Sequence, residues 1–500
     1  MISLDTTIVN VALPSLVRQL HASTTDLQWV VDAYSLVFAA LILAAGSLSD
    51  RLGRKGTLIV GLGVFGAASL AGAAGSTVNE LVAARAVMGL GAALIFPATL
   101  SIISNVFTER AERARAIGLW GATTGVGIAL GPIIGGWLLG RYWWGSVFLF
   151  MAPVAALIAA MVVAVVPPSR DPTTPPVDWA GLLLSAAAMG MLVFTIIEAP
   201  DAGWGSARTI ASFAASVAVL AGFVAVERRR RHPMLDVELF SNPRFTAASG
   251  AVTVAFFALS GFIFLVTQYF QFLKAYSPLA TGVRLLPVAA SVAIASLLGT
   301  RLAVRVGNKQ VVTAGLVLLC AAFGWIATTS PATSYFEIAA QMLVLGTGMG
   351  LTSAPATEAI MGVVSKDQAG VGSAVNDATR LLGGTMGVAV IGSVAASLYA
   401  GRLGSTLPTG LPGGVTETAE GSVGGAIVAA QRLTAAGLRP AAEQLRAAAV
   451  QAFQHSFSVG CLVAVAVAAA GAALAWFVLP ARPATVALPE TMPSAQRDAE

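Results

Sequence analysis

The chain has 500 residues, of which 56% are hydrophobic and only 11% charged, less than half the roughly 25% charge of a soluble domain. Its net charge of +5 comes from arginines and lysines strung through short polar joints. No basic domain stands apart, which excludes a nucleic-acid-binding protein.

Apolar runs long enough to cross a bilayer core of about 30 Å recur along the whole chain. We read them at 2–17, 27–49, 57–76, 79–103, 114–140, 144–166, 178–198, 208–226, 246–272, 279–304, 310–330, 335–360, 371–400 and 453–480. The sequence is that of an all-α polytopic membrane protein with fourteen spans. The first run is short for a crossing, so either translation starts upstream of Met1 or this helix begins below the midplane. Alternate joints hold very different numbers of Lys and Arg. One set carries Arg51, Arg54, Lys55, Arg110, Arg113, Arg115, Arg170, Arg228, Arg229, Arg230, Arg231, Arg244, Arg301, Arg305, Lys309, Lys366, Arg482 and Arg497; the other carries only Arg18, Arg141, Arg208 and Lys274. Cytoplasmic joints are the basic ones, which places both termini inside.

The first run contains Asp5, and the second contains Asp32 in WVVDAYSL (29–36). The joint that follows, GSLSDRLGRKG (46–56), concentrates Asp50, Arg51, Arg54 and Lys55 around Gly53. Gly53 permits a tight reversal, and the cations set orientation. The joint has an ungapped echo at 300–316, where Arg305, Gly307, Lys309 and Gly315 repeat Arg51, Gly53, Lys55 and Gly61, and Val304 replaces Asp50. Each copy joins a second to a third span if the chain divides into six spans, two extra and six more. A duplicated six-helix unit, in parallel repeat, accounts for that register. The units run over 1–167 (N-terminal bundle), 168–243 (two extra spans and a cytoplasmic loop), 244–480 (C-terminal bundle with an extracellular loop at 401–452) and 481–500 (a cytoplasmic tail of disordered composition).

In the fourth run, ARAVMGLGAA (84–93) puts Arg85 inside apolar surroundings. A cation there costs about 2.5–3.5 kcal/mol on insertion scales and has to find a partner; an acid on a neighbouring span is expected, Asp5 first. In the fifth, GIALGPIIGGW (127–137) spaces Gly127, Gly131 and Gly135 four apart on one face, with Pro132 and Gly136 between and after them. That spacing lets two helix backbones approach closely, and the proline can bend the helix; a hinge or seal is expected. Glu198, Glu358 and Asp377 are the other intramembrane acids. A carboxyl buried among apolar helices is costly to ionise and can trade a proton near neutral pH, or hold a cation. The ninth run, FFALSGFIFLVTQYFQFLKAY (256–276), mixes aromatics with Gln268 and Gln271; its rings either stack on cations or face lipid. The stretch 401–452 is Gly/Pro/Thr-rich to about 425 and then helical in period, which predicts a partly helical cap outside the membrane.

Cys320 and Cys461 lie in apolar runs and read as packing residues. The three histidines are scattered, and no GxxxxGK[ST], HExxH or GxSxG occurs. No metal, cofactor or enzyme chemistry is expected.

With these motifs in order, the chain resembles the major facilitator superfamily end to end, specifically its fourteen-span drug:proton antiporter family. LDTTIVNVALP (4–14), the 46–56 joint, 84–93 and 127–137 are similar to that family's first-span, loop, fourth-span and antiporter motifs; WVVDAYSL is similar to exporters of quaternary ammonium and other lipophilic cations. The resemblance implies two six-helix bundles plus two central spans, and export of hydrophobic, chiefly cationic compounds in exchange for protons across the plasma membrane by a monomer. It carries proton coupling to Arg85 and cavity positions to Asp5, Asp32 and Asp377; Glu358, near the inner end of its span, is read equally as a cavity or a structural residue from its position. It also implies that Asp50 latches the two halves together on the inner side. On the same fold, an uptake symporter or an exporter of an endogenous metabolite is the alternative.

Overall fold

The computed structural model describes residues 1–107, 109–170, 177–230, 233–363, 369–407 and 413–480. The tail 481–500, Arg231 and Lys366 lie outside the described residues.

The described chain is helical throughout. The first six helices are α1 (Ile2–Leu20), α2 (Thr24–Leu52), α3 (Arg54–Ala74), α4 (Val78–Val106), α5 (Arg110–Leu139) and α6 (Ser146–Val165). A pair, α7 (Trp179–Ala202) and α8 (Ala207–Glu227), precedes α9 (Pro243–Gln268), α10 (Pro278–Arg284), α11 (Leu286–Val306), α12 (Asn308–Ile326), α13 (Tyr335–Met361) and α14 (Ala369–Gly404). Two short helices, α15 (Gly413–Gly421) and α16 (Val423–Ala435), lead into α17 (Arg439–Val478). Among the described residues, eleven helices are long and apolar enough to cross a membrane, with α10 and α11 counted as one. α1, α5 and α13 are not among the eleven, and the apolar part of α5 is its second half, Gly125–Leu139.

Local chemistry sets the boundaries. Ser23 with Asp26, and Thr77 with Glu80, form capping boxes that satisfy the free N–H groups opening α2 and α4. Gly53 (φ 117°) and Gly307 (φ 97°) each end one helix and start the next, in a conformation that disfavours a side chain.

The duplication extends into packing. A Cβ on Gly61 of α3 would lie 3.0 Å from Gly91 O of α4, and one on Gly315 of α12 would lie 2.8 Å from Gly348 O of α13. The same glycine-on-glycine crossing thus joins the third to the fourth helix of each repeat. Lipid is as apolar as leucine, so such close contact, rather than water exclusion, holds spanning helices together.

Two expectations change. The segment 401–452 is not one loop: α14 continues to Gly404, and the last helix begins at Arg439 rather than near residue 453. At 40 residues α17 is roughly 60 Å long, so its first turns stand beyond the apolar core. Of the two readings left open for the rings of 256–276, facing lipid does not hold for most of them, Phe256 being half-buried. Phe257, Phe262, Phe264, Tyr269, Phe270 and Phe272 are all buried, and the helix closes in a π-turn at Tyr269–Leu273.

The repeats meet at the end of the bundle that carries His21. Gln271 Nε2 donates to Val11 O at 2.9 Å and Gln271 Oε1 accepts from Arg18 Nη2 at 3.2 Å. α15 and α16 cover this end: Thr24 Oγ1 donates to Gly421 O at 3.1 Å, and Gly424 is wedged between Val17 and Phe272. A cavity of about 400 Å³ remains beneath the cap, lined by Arg18, Gln271, Phe272, Gln431, Glu443 and Arg446 among others. At the opposite, Gly53 end, Leu52 is 72% and Val304 80% exposed.

Candidate functional site

Arg85 is sealed inside the N-terminal repeat. Its Nη1 lies 2.6 Å from Asp5 Oδ2, its Nε donates to Val30 O at 3.0 Å, and its guanidinium stands 4.2 Å from the centre of the Tyr34 ring. α1, α2 and α4 therefore meet on one ion pair, the partnership expected from the cost of a lone cation. Among the described residues, Asp5 Oδ1 and the Tyr34 hydroxyl have no hydrogen-bond partner.

Asp32 is fully buried, and neither of its carboxyl oxygens has a hydrogen-bond partner among the described residues. It stands one turn after Gln28, whose Nε2 donates to Ala389 O at 2.9 Å and lies 3.1 Å from Ser393 Oγ, both on α14. Residues four apart share a helix face, so Asp32 sits on the face of α2 that closes against the C-terminal repeat. On the neighbouring face, Trp29 Nε1 donates to Glu198 Oε1 of α7 at 2.9 Å. The extra pair is thus tied to α2, and it also packs on α14.

In the C-terminal repeat, Asp377 Oδ1 lies 3.8 Å from Arg380 Nη1, with the two side chains 16% and 35% exposed. Arg380 Nη2 also donates to Thr357 Oγ1 at 3.0 Å.

The glycines of α5 do two jobs. Gly127, Gly131 and Gly135 lie against Ser3/Leu4, Leu4/Thr7 and Ile8 of α1, so the predicted face is the packing face. Gly136 lies against Pro278 and Leu279, and Pro132 against Gly282, all in α10. The motif therefore seals α5 to its own repeat and to the other one.

At the 46–56 joint, Asp50 Oδ1 accepts from Arg54 Nε and Ser101 Oγ, each at 2.6 Å. Lys55 Nζ donates to Val163 O and Arg54 N to Ser169 O, both at 2.9 Å, while Arg51 is exposed. The Asp50 and Lys55 contacts are internal to the N-terminal repeat, and Arg54 N reaches Ser169 in the segment that leads on to α7. Among the described residues Asp50 is bonded to Arg54 and Ser101 and not to the C-terminal repeat, so the latch expected there is not formed in this arrangement, which is closed at the His21 end.

The model of the Major Facilitator Superfamily matches residues 1–388. The chain belongs to that superfamily. It is 35% identical to the multidrug efflux pump LfrA of Mycolicibacterium smegmatis over 474 residues, 95% of this chain and 93% of that one. It is 35% identical to the multidrug resistance protein Stp of Mycobacterium tuberculosis over 412 residues, 82% and 76% of the two chains. It is 32% identical to the methyl viologen resistance protein SmvA of Salmonella typhimurium over 433 residues, 86% and 87%. Among solved structures, a bacterial homologue of the human lysosomal transporter Spinster has the same fold, with a TM-score of 0.68 at 17% identity, covering 97% of this chain and 96% of that one.

Within this major facilitator fold, the candidate acids do not form one cluster. Asp5 pairs with Arg85, Asp32 stands alone on the seam, and Asp377 pairs loosely within the other repeat. Glu358 is exposed, next to Thr357, and its carboxylate has no hydrogen bond or ion pair among the described residues. Gln28, Tyr34, Thr357 and Arg380 were not singled out from the sequence. Arg380 had a readable signal, a cation inside the apolar run 371–400; the others are ordinary residues until their neighbours are known.

Proposed function

We propose that this transporter exports hydrophobic drugs, cationic ones foremost, across the bacterial cell membrane in exchange for protons, by alternating access. In this reading α1, α5 and α13 cross the membrane along with the eleven long apolar helices, giving fourteen spans. The Lys/Arg bias supports cytoplasmic termini, so the closed His21 end faces outside. The names of the relatives, multidrug efflux and methyl viologen resistance among them, support the substrate class.

One observation carries the coupling: Asp32 is buried on the seam between the repeats with neither oxygen bonded among the described residues. An ionised carboxylate there would have nothing to answer its charge. Closing the seam therefore favours the protonated acid, and opening it to the outside lets the acid meet water and exchange its proton. Binding a proton and changing sides become one event.

The deciding experiment follows drug accumulation in cells or inverted vesicles with and without a proton uncoupler. Export that collapses with the uncoupler supports the reading. Export that persists without a proton gradient refutes the coupling, and accumulation raised by the protein refutes export.

A further inference from the structure

Arg380 is held by the three kinds of group that recognise organic cations. Its guanidinium lies 3.8 Å from the Asp377 carboxylate, donates to the Thr357 hydroxyl at 3.0 Å, and stands 5.5 Å from the centre of the Phe256 ring. These groups come from α14, α13 and α9. Thr357 Oγ1 is itself within hydrogen-bond distance of Ser353 O (2.8 Å) and Asn376 Oδ1 (3.1 Å), which fixes the hydroxyl. The pairing is nonetheless loose. Among the described residues Arg380 Nε has no hydrogen-bond partner, and the arginine side chain is 35% exposed. The Arg85–Asp5 pair of the other repeat, at 2.6 Å and closed to solvent, shows what a permanent contact looks like in this fold.

We propose that Asp377, Thr357 and Phe256 form a binding subsite for the charged head of a planar organic cation, and that the Arg380 guanidinium is a tethered occupant which such a substrate displaces. Carboxylate, hydroxyl and aromatic face suit a delocalised, guanidinium-like or heteroaromatic cation. A site that emptied between cycles would strand Asp377 without a counter-charge; an arginine on the next turn prevents that, and its long arm leaves when a ligand brings its own charge. The substrate class rests on the export reading, whereas the tethered-cation geometry does not.

The test uses the purified full chain and Arg380→Ala. Removing the guanidinium lowers the melting temperature, and millimolar methylguanidinium restores it while the neutral methylurea does not. Ethidium, followed by fluorescence anisotropy, binds Arg380→Ala at least tenfold tighter than the parent. Both gains vanish when Asp377→Asn is added. Should Arg380→Ala not fold, Arg380→Gln is measured in the same way. Equal effects of methylguanidinium and methylurea, or ethidium binding that is unchanged or weaker, overturn the proposal. Rescue by methylguanidinium alongside absent drug export would sink the export reading alone; export without rescue would sink only the tethered cation.

Discussion

Arg85 and Asp5, eighty residues apart in the chain, meet at 2.6 Å with side-chain exposures of 2% and 0%. α1 and α4 are bonded through this contact, and Val30 of α2 completes it. Breaking one side of such a pair leaves an unanswered buried charge, at a cost of about 3–5 kcal/mol. Arg85→Ala should therefore lower the thermal stability of the purified protein sharply and abolish transport. Asp5→Asn with Arg85→Met should recover much of the stability but none of the transport, because the charge is gone from both sides. Heat-challenge chromatography together with drug uptake measures the two; equal stability of the single and double variants would count against the pair as described.

Asp32 makes the opposite case. Neither of its oxygens has a partner to lose, so Asp32→Asn should leave stability within about 1 kcal/mol, in the range of a mild substitution. The same variant should no longer release protons when substrate is added to a weakly buffered sample. Proton release at the parental level would remove Asp32 from the coupling step.

Gly282 and Gly136 let α5 and α10 touch across the repeats. Gly282→Val places side-chain carbons against Pro132 in the closed arrangement, and overpacking of this kind costs typically 1–3 kcal/mol. The closed population at the His21 end should fall by roughly five- to a hundredfold, since each 1.4 kcal/mol is a factor of ten. Spectroscopic distances between labels on α5 and α10 report it; an unchanged distribution would show that the close approach is not part of the seal.

Asp50 bridges Arg54 and Ser101 at the turn between α2 and α3. The ion pair is partly exposed, so its worth to stability is at most about 1 kcal/mol. Asp50→Asn should melt near the parent yet slow export, with substrate affinity within a few-fold, if this carboxylate engages the other repeat when the Gly53 end closes. Export at the parental rate would reduce the joint to an orientation signal.

Helical spans, charged joints and the repeat were all legible in the sequence, because each has a local physical cause. Apolar length measures a bilayer. Gly53 and Gly307 mark the same sharp reversal because few other residues take that backbone conformation. The four-residue spacing of Gly127, Gly131 and Gly135 defines a face wherever the helix is placed, and the structure sets that face on α1. Partnership was another matter. Asp5 and Asp32 are alike in sequence, each an acid in an apolar run, yet one holds a salt bridge and the other holds nothing. Only the packing of α1, α2 and α4 separates them. Composition could not place the rings of α9, because a residue facing lipid and one facing a helix bundle need the same apolar character; burial of Phe264 and Phe270 came from how α9 sits among its neighbours. For the same reason the start of α17 at Arg439 was hidden: a polar helix beyond the membrane and a cap helix share one period. The break falls at Gly437 (φ 82°), just before α17 begins at Arg439, and α16 packs on α17 beyond it.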